Sequence, residues 1–404
     1  MKKTVSLLAG AAALTCGGAW AQSSLTLYGL ADVSLTRVTG FAQGSVTSLS
    51  SGHLEGSRWG VKGEEDIGGG YKALFTLESR AELDSGGLGN RPKSGDQVPD
   101  RLIAGLPDAV AAGVAGAIGP TLGVNLNNVA FDRQAWVGLV TPVGGFLMGR
   151  QYTPAFETLA TFDTMNTQSA ISVAQVMTIP PGVDIRYNNT LQYRVVQGPW
   201  SGSLMASFMG GPSSSSNQLL GVNAIYRGDA FQAGFGHNSK KNSAGQQALR
   251  TTVLGASTGM GAWKVSGLVA HIEEPNPSSG PELSAGLTLA GVPAPVVTTV
   301  LDRLKQDALV LHLGARYDMG TAGQISVAIN QFNDRRSSDA DIRSYGVAYT
   351  YPLSRRTSLY GVLARLDNSG TAQSALGGNG YLGGVTASAG TDSTSIAIGM
   401  RHSF

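Results

Sequence analysis

The run at residues 394–404, Thr-Ser-Ile-Ala-Ile-Gly-Met-Arg-His-Ser-Phe, restricts the fold more than any other. Ile396, Ile398, Met400, His402 and Phe404 share one parity; Ser395, Ala397, Gly399, Arg401 and Ser403 share the other. A period of two, with one mainly apolar face and one small or polar face, is a β-strand. The sequence stops there, on an aromatic. An unpaired strand edge in water invites aggregation. A closed barrel in a membrane has no such edge, because its last strand pairs with its first and its apolar side meets lipid.

The other end of the chain reads as an export signal. Lys2 and Lys3 precede a largely apolar run, residues 5–16, too short to span a bilayer. Ala19-Trp20-Ala21 is an A-x-A cleavage site, so a signal peptide is expected over residues 1–21 and a mature chain from Gln22. The rival reading is acylation at Cys16, but the residue three places upstream is Ala13, not leucine. Cys16 is the only cysteine, so cleavage leaves a mature chain without disulfides or thiolate metal sites. The chain carries 29 Lys and Arg against 27 Asp and Glu, and loss of Lys2 and Lys3 leaves 27 of each. Bulk charge therefore gives no reason to expect a nucleic-acid partner. Glycine is plentiful, 56 in 404 residues, where roughly 7% is usual. Charged residues are scarce at 14%, against a usual quarter or so. After the signal, no segment has the roughly 18 consecutive apolar residues of a membrane helix. A barrel is the remaining way to be membranous.

Alternating runs of about ten residues, the length of a tilted membrane strand, recur along the whole chain. They fall at residues 24–37, 55–64, 71–83, 131–140, 145–152, 185–196, 202–209, 218–227, 230–237, 249–257, 263–271, 305–318, 323–333, 342–351, 357–367 and 391–404. That is about sixteen strands, an even number as bacterial barrels require. The connections alternate short and long. Short turns fall at 65–70, 141–144, 197–201, 228–229, 258–262, 319–322 and 352–356, and long loops at 38–54, 84–130, 153–184, 210–217, 238–248, 272–304, 334–341 and 368–390. Short periplasmic turns and long extracellular loops are the habit of outer-membrane barrels. A soluble sandwich gives no reason for such alternation. The insertions at 84–130 and 272–304 contain stretches, 106–119 and 293–304, that read as short helices. Contact with a neighbouring subunit, a partial cover over the mouth and a variable surface insertion all stay open for them.

The residues together resemble the general porins of Gram-negative bacteria, of the beta-proteobacterial kind. The resemblance covers essentially the whole mature chain. It is carried by Leu25-Thr-Leu-Tyr-Gly29, by the run SRWGVKGEEDIGGGYKALFTLE at residues 57–78, by Arg133-Gln-Ala-Trp-Val-Gly-Leu139, by Gly149-Arg-Gln-Tyr152, by Arg186-Tyr-Asn-Asn189 and by the closing Arg-His-Ser-Phe404. It implies an all-β transmembrane antiparallel barrel of sixteen strands over residues 22–404, assembled as a homotrimer in the outer membrane. It also implies lipid and lipopolysaccharide as surroundings, assembly by the barrel-assembly machinery with Phe404 as signal, passive diffusion of small hydrophilic solutes and ions, and neither cofactor nor metal. The third loop, 153–184, is implied to fold into the lumen and narrow it. In that picture Arg58, Arg133 and Arg186 are wall arginines and Asp163 a loop carboxylate facing them, with Glu157 as a second loop acid. The loop lacks the Pro-Glu-Phe-Gly-Gly motif of some relatives.

Strand parity supports part of this placement. Arg58 and Lys62 lie opposite Trp59 and Val61, so they face the lumen if the aromatic side faces lipid. Arg186 belongs to the polar face of its strand with Asn188, Thr190, Gln192 and Arg194. A lipid-facing arginine at mid-depth would cost about 2–4 kcal/mol. Arg133 shares parity with Ala135, Val137 and Leu139, so its inward placement rests on the resemblance. Cations facing a carboxylate across a narrow gap set up a field that favours polar solutes. Three arginines against one or two acids tip the expected eyelet toward anions; a solute-specific channel with a saturable site is the alternative. Arg150 shares parity with Phe146 and Met148 and is expected to point outward into a subunit interface. Tyr28, Trp59, Trp136 and Trp263 read as membrane-interface anchors. For an enzyme there is little: no H-E-x-x-H or G-x-S-x-G occurs, and Gly68-Gly-Gly70 reads as a turn.

Overall fold

The computed structural model describes residues 23–208 and 218–404. The expected signal peptide, its cleavage site and Cys16 lie outside the described residues, as does the loop expected at 210–217. Among the described residues, seventeen strands form a single antiparallel sheet: β1 (Ser23–Phe41), β2 (Gly44–Ser51), β3 (Arg58–Gly68), β4 (Tyr71–Arg80), β5 (Gln134–Thr141), β6 (Gly144–Tyr152), β7 (Arg186–Gln197), β8 (Trp200–Ser207) and β9 (Leu219–Arg227) in its first half. The second half holds β10 (Phe231–Lys241), β11 (Gln247–Met260), β12 (Trp263–Glu274), β13 (Gln306–Asp318), β14 (Gln324–Asp334), β15 (Ile342–Pro352), β16 (Thr357–Asn368) and β17 (Ser393–Ser403).

The seventeen strands occupy sixteen places around a closed ring. β1 is long enough to serve two partners on one edge: its first half pairs with β3, Leu30 opposite Arg58, and its second half with β2, Val38 opposite Val46. Its other edge pairs with β17, Leu30 opposite Ser403 and Val38 opposite Ser395. Gly29 and Phe404 exchange both backbone hydrogen bonds at 3.1 Å, which closes the seam. The expectation drawn from the last eleven residues therefore holds. Along β17, Ile398 is 71% exposed on the outer face and Ala397 1% exposed on the inner. The same outward apolar and inward polar alternation recurs around the ring, with Leu311 and Leu313 outside and His312 inside on β13. No helix among the described residues is long and apolar enough to cross a membrane.

The long connection expected at 38–54 is different in the structure. β1 continues to Phe41, turns over Ala42 and Gln43, and returns as β2. Val38, Phe41 and Val46 pack with Ala375 of the β16–β17 connection, so the alternation carries on above the neighbouring strands. The break comes later, at residues 52–57, which leave the sheet and are largely buried. Asp32 holds them: its carboxylate accepts from the Glu55 amide at 2.9 Å, and its carbonyl accepts from the Ser57 hydroxyl at 2.9 Å.

Among the described residues, five α-helices lie in the connections at the long-loop end: α1 (Asp100–Ile103), α2 (Asp108–Ile118), α3 (Pro154–Phe162), α4 (Gly280–Leu289) and α5 (Ala294–Leu304). The core sits inside the barrel. It is built around α3 and the segment that follows it, with Leu159, Phe162, Ile171 and Val176 packed on the inner faces of β11 to β16.

Candidate functional site

The β6–β7 connection, residues 153–185, packs against the inner face of the barrel wall. Thr153 starts it, its hydroxyl donating to the Asp184 carbonyl at 2.5 Å and so tying the two ends of the connection together. Pro154 at the first helical position suits α3, since its fixed φ is helical and its missing N–H is not needed there. Ala155, Thr158, Leu159 and Phe162 recur at helical spacing and are buried. The wall they meet is glycine. A Cβ on Gly236 would lie 2.3 Å from the Thr158 hydroxyl, one on Gly255 2.4 Å from the Phe162 ring, one on Gly314 2.1 Å from the Thr164 hydroxyl and one on Gly346 2.5 Å from Ile171. Side chains at these positions would hold the segment off the wall.

A buried histidine fixes the turn after α3. His312 Nε2 accepts from the Thr164 amide at 3.0 Å, and Nδ1 lies 2.7 Å from Asn330 Oδ1. Asn330 Nδ2 in turn donates to the Ile171 carbonyl at 3.1 Å. Asp163 belongs to this anchor and not to the pore lining. Its carboxylate is buried and accepts from the amides of Met165 and Thr167 and from the Ser172 hydroxyl. The loop carboxylate expected to face the arginines is turned toward the wall, because its position at the C-terminal end of α3 makes it the acceptor for its own turn.

The opposite wall carries the arginines. Arg133 donates from Nε to Glu78 at 2.8 Å and from Nη2 to the Tyr152 hydroxyl at 3.2 Å. Arg133 precedes β5 by one residue, so the parity of Ala135 and Val137 does not govern it. Arg58 meets Glu55 at 2.5 Å and Glu78 at 3.5 Å. Arg186 donates to the Tyr152 hydroxyl at 2.8 Å and lies 4.5 Å from that ring's centre. Its Nε is buried without a hydrogen-bond partner, and no carboxylate lies within ion-pair distance of it among the described residues. Lys62 shares the inward side with Arg58 but lies further toward the short-turn end, over the Tyr28 ring at 5.5 Å and outside the cavity lining. Tyr28 also points inward, its hydroxyl donating to Glu78 at 3.1 Å, and is not an interface anchor. Its parity is opposite to that of Leu25 and Leu27, so the strand pattern already contained this.

Arg58, Arg133, Arg186 and Glu157 line one cavity of about 670 Å³, together with Arg80, Arg194 and Arg227. Glu157 sits on the pore side of α3, paired with Arg194 and accepting from Asn223 at 3.3 Å. Burial pushes its carboxyl up from the usual range, and Arg194 opposes that shift. Arg80 is held by Asp132 and Glu82, each at 3.3 Å, and donates to the Gly380 carbonyl. Arg227 donates to the Ser201 hydroxyl at 2.5 Å. Arg194 and Arg227 were missed as lining residues; Arg194 shares parity with Arg186 eight places earlier, which was the available signal. Arg150 occupies the irregular step in β6–β7 pairing beside Gly149, whose φ is +135°. Its guanidinium donates to the Asp132 carbonyl at 2.6 Å and to Asn188 at 2.7 Å, within its own chain.

The β16–β17 connection completes the lining. Asn379 Oδ1 accepts from the Gly56 amide, and His53 Nδ1 lies 3.1 Å from the Tyr381 hydroxyl. His53 is fully buried against Tyr360 and Tyr381. That burial, with Lys93 nearby, lowers its pKa to about 4.

Residues 7–371 match the Gram-negative porin family. Outer membrane porin protein 32 of Delftia acidovorans is 27% identical over the full length of both chains. Among solved structures, the anion-selective porin from Comamonas acidovorans is similar with a TM-score of 0.71 at 23% identity, over 95% of this chain and 100% of that one. OmpT of Vibrio cholerae, solved in trimer form, is similar with a TM-score of 0.58 at 12% identity, over 95% and 99%. A closed sixteen-place antiparallel barrel with a polar lumen, matched along most of its length by this family, belongs to the Gram-negative porins: it is an outer-membrane channel for passive diffusion.

Proposed function

We propose that the channel selects small anions, at a constriction between α3 and the arginine wall formed by residues 58, 80, 133 and 186. The observation that carries this is the balance of charge in the cavity. Six arginines line it with two carboxylates, Glu55 and Glu157; Glu78, Glu82 and Asp132 answer Arg58, Arg133 and Arg80 from behind the lining, and Arg186 and Arg227 have no carboxylate within ion-pair distance among the described residues. Arg186 is left with a phenol for a partner. A surplus of cation in a narrow gap between low-dielectric walls raises the local concentration of anions. The transverse field differs from the expected one, because the acids that answer Arg58 and Arg133, Glu55 and Glu78, stand on the same wall as the arginines. The loop supplies Glu157 alone.

The long-loop end is extracellular in this reading, the short turns are periplasmic, and residues 1–21 are removed on export. Three copies assemble, as in the trimeric OmpT structure, with Arg150 near the subunit contact and Phe404 read by the assembly machinery. Lipid and lipopolysaccharide surround the outer face. The chemistry needs no cofactor, and the channel reading is preferred to an enzymatic one because the relatives are porins. Reversal potentials across a planar bilayer in a KCl gradient test it: a sign favouring chloride is expected, and a sign favouring potassium overturns it. The unpartnered Nε of Arg186 favours one addition, a site at which an anion dwells. Anion flux that saturates with concentration would then mark a solute-specific channel.

A further inference from the structure

The two long insertions form one structure. The β4–β5 connection, residues 81–133, joins the third and fourth places of the ring, and the β12–β13 connection, residues 275–305, joins the eleventh and twelfth. They are eight places apart in a ring of sixteen, on opposite walls. Yet their helices share a hydrophobic core. Val114 of α2, Leu287 of α4, and Val297 and Val300 of α5 are buried together, with Leu106 and Leu283 packed against them. Arg303 of α5 donates to the Leu102 carbonyl of α1 at 3.1 Å. Segments rooted in opposite walls that bury a common core must meet over the opening.

The dimensions agree. Strands spaced at about 4.8 Å and tilted by about 40° give sixteen places a diameter of roughly 30 Å. Helices of 11 residues such as α2 and α5 each extend about 16 Å. The span is also tied down beside its path. Gln97 donates to the Thr386 carbonyl at 2.9 Å, and the Asp100 amide donates to Gln373 at 2.6 Å, both in the β16–β17 connection. Val114, Leu287, Val297 and Val300 are buried without a neighbouring subunit.

We infer that α1, α2, α4 and α5 form a helical strap across the long-loop mouth, dividing it and acting as an outer size filter in series with the arginine constriction. A solute is sieved before it reaches the charge-selective zone. The filter then depends on Val114, Leu287, Val297 and Val300, which touch no permeating solute.

Sided exclusion of polyethylene glycols from single channels tests it. Polymers of increasing size are added to one side of a planar bilayer at a time, and the largest that still lowers KCl conductance is recorded. In the parent channel the limit should be smaller from the long-loop side than from the short-turn side. The double variant V114D/V300D, and separately a short Gly-Ser replacement of residues 108–118, should raise the long-loop limit and leave the other unchanged. Heat-modifiable gel mobility confirms that the barrel has formed. Equal limits in the parent, or unchanged limits in both variants, would overturn the strap. A second measurement uses V114C/L287C with a short bismaleimide; the mature chain otherwise carries no thiol. Linkage within one subunit is expected. Linkage between subunits, or none, shows that these loops serve something other than their own mouth.

Discussion

At the scale of single residues, the proposed selectivity is tested best at Arg186. It is the wall arginine without a carboxylate within ion-pair distance, so its charge is less compensated than those of Arg58, Arg80 and Arg133. A unit charge about 4 Å from a passing ion is worth about 1 kcal/mol even at the dielectric of water, or about fivefold in local concentration. Arg186→Gln should therefore lower the chloride-to-potassium permeability ratio severalfold, read from the reversal potential, while Arg80→Gln should change it less. Glu157 gives the opposite sign. Burial raises its pKa, so it loses its charge on acidification before an ordinary glutamate does. Chloride preference should rise as pH falls toward the ordinary glutamate value, and Glu157→Gln should show the raised preference at neutral pH with this rise removed. His53 acts on stability. Its pKa falls from 6.5 to about 4 on folding, so the unfolded chain takes up the proton first. The stability it gives is complete above about pH 6.5 and is lost as pH falls through about 4. Urea midpoints of the refolded barrel should decline across that window, and less so in His53→Gln.

At the scale of elements, the inward segment depends on what the wall lacks. Gly255 faces the Phe162 ring so closely that any Cβ must push α3 away from β11 and into the lumen. Gly255→Val should thus lower single-channel conductance while the barrel still forms, as checked by gel mobility; an unchanged step would show that α3 is not seated on this track. The case also marks how far the sequence could be read. The strands were legible because each is a period-two run fixed by the lipid on one side and water or packed polar groups on the other. The glycine content was visible too, but its purpose was not, since Gly236, Gly255, Gly314 and Gly346 lie on four different strands and share only the inward segment that packs on them. Arg58 and Arg186 could be aimed inward from parity. Asp163 could not be aimed, because in a loop the neighbour that turns a carboxylate is a backbone amide or a histidine 149 residues away, here Thr167 and His312. The break at residues 52–57 was hidden for the same reason: what holds it is Asp32 on another strand.

For the whole molecule, the decisive contrast is between the two faces of one closed wall. Ile398 and Ala397 are neighbours on β17, yet one meets the surroundings and the other the packed interior. Ile398 stands midway along β17, opposite Leu35 of β1 and Gly361 of β16, so it falls near the centre of the hydrocarbon layer. Arginine there must bring a charge into lipid, at a cost of about 2–4 kcal/mol. Ile398→Arg should therefore lower the stability of the barrel folded into lipid vesicles by about that amount, measured as the shift in urea unfolding. Ile398→Leu keeps the apolar surface and should leave it nearly unchanged. In detergent micelles, which let water reach the charge more easily, the arginine penalty should shrink. A penalty of equal size in vesicles and micelles would mean that Ile398 packs against protein, and this stretch of β17 would then belong to the contact between subunits rather than to the lipid face.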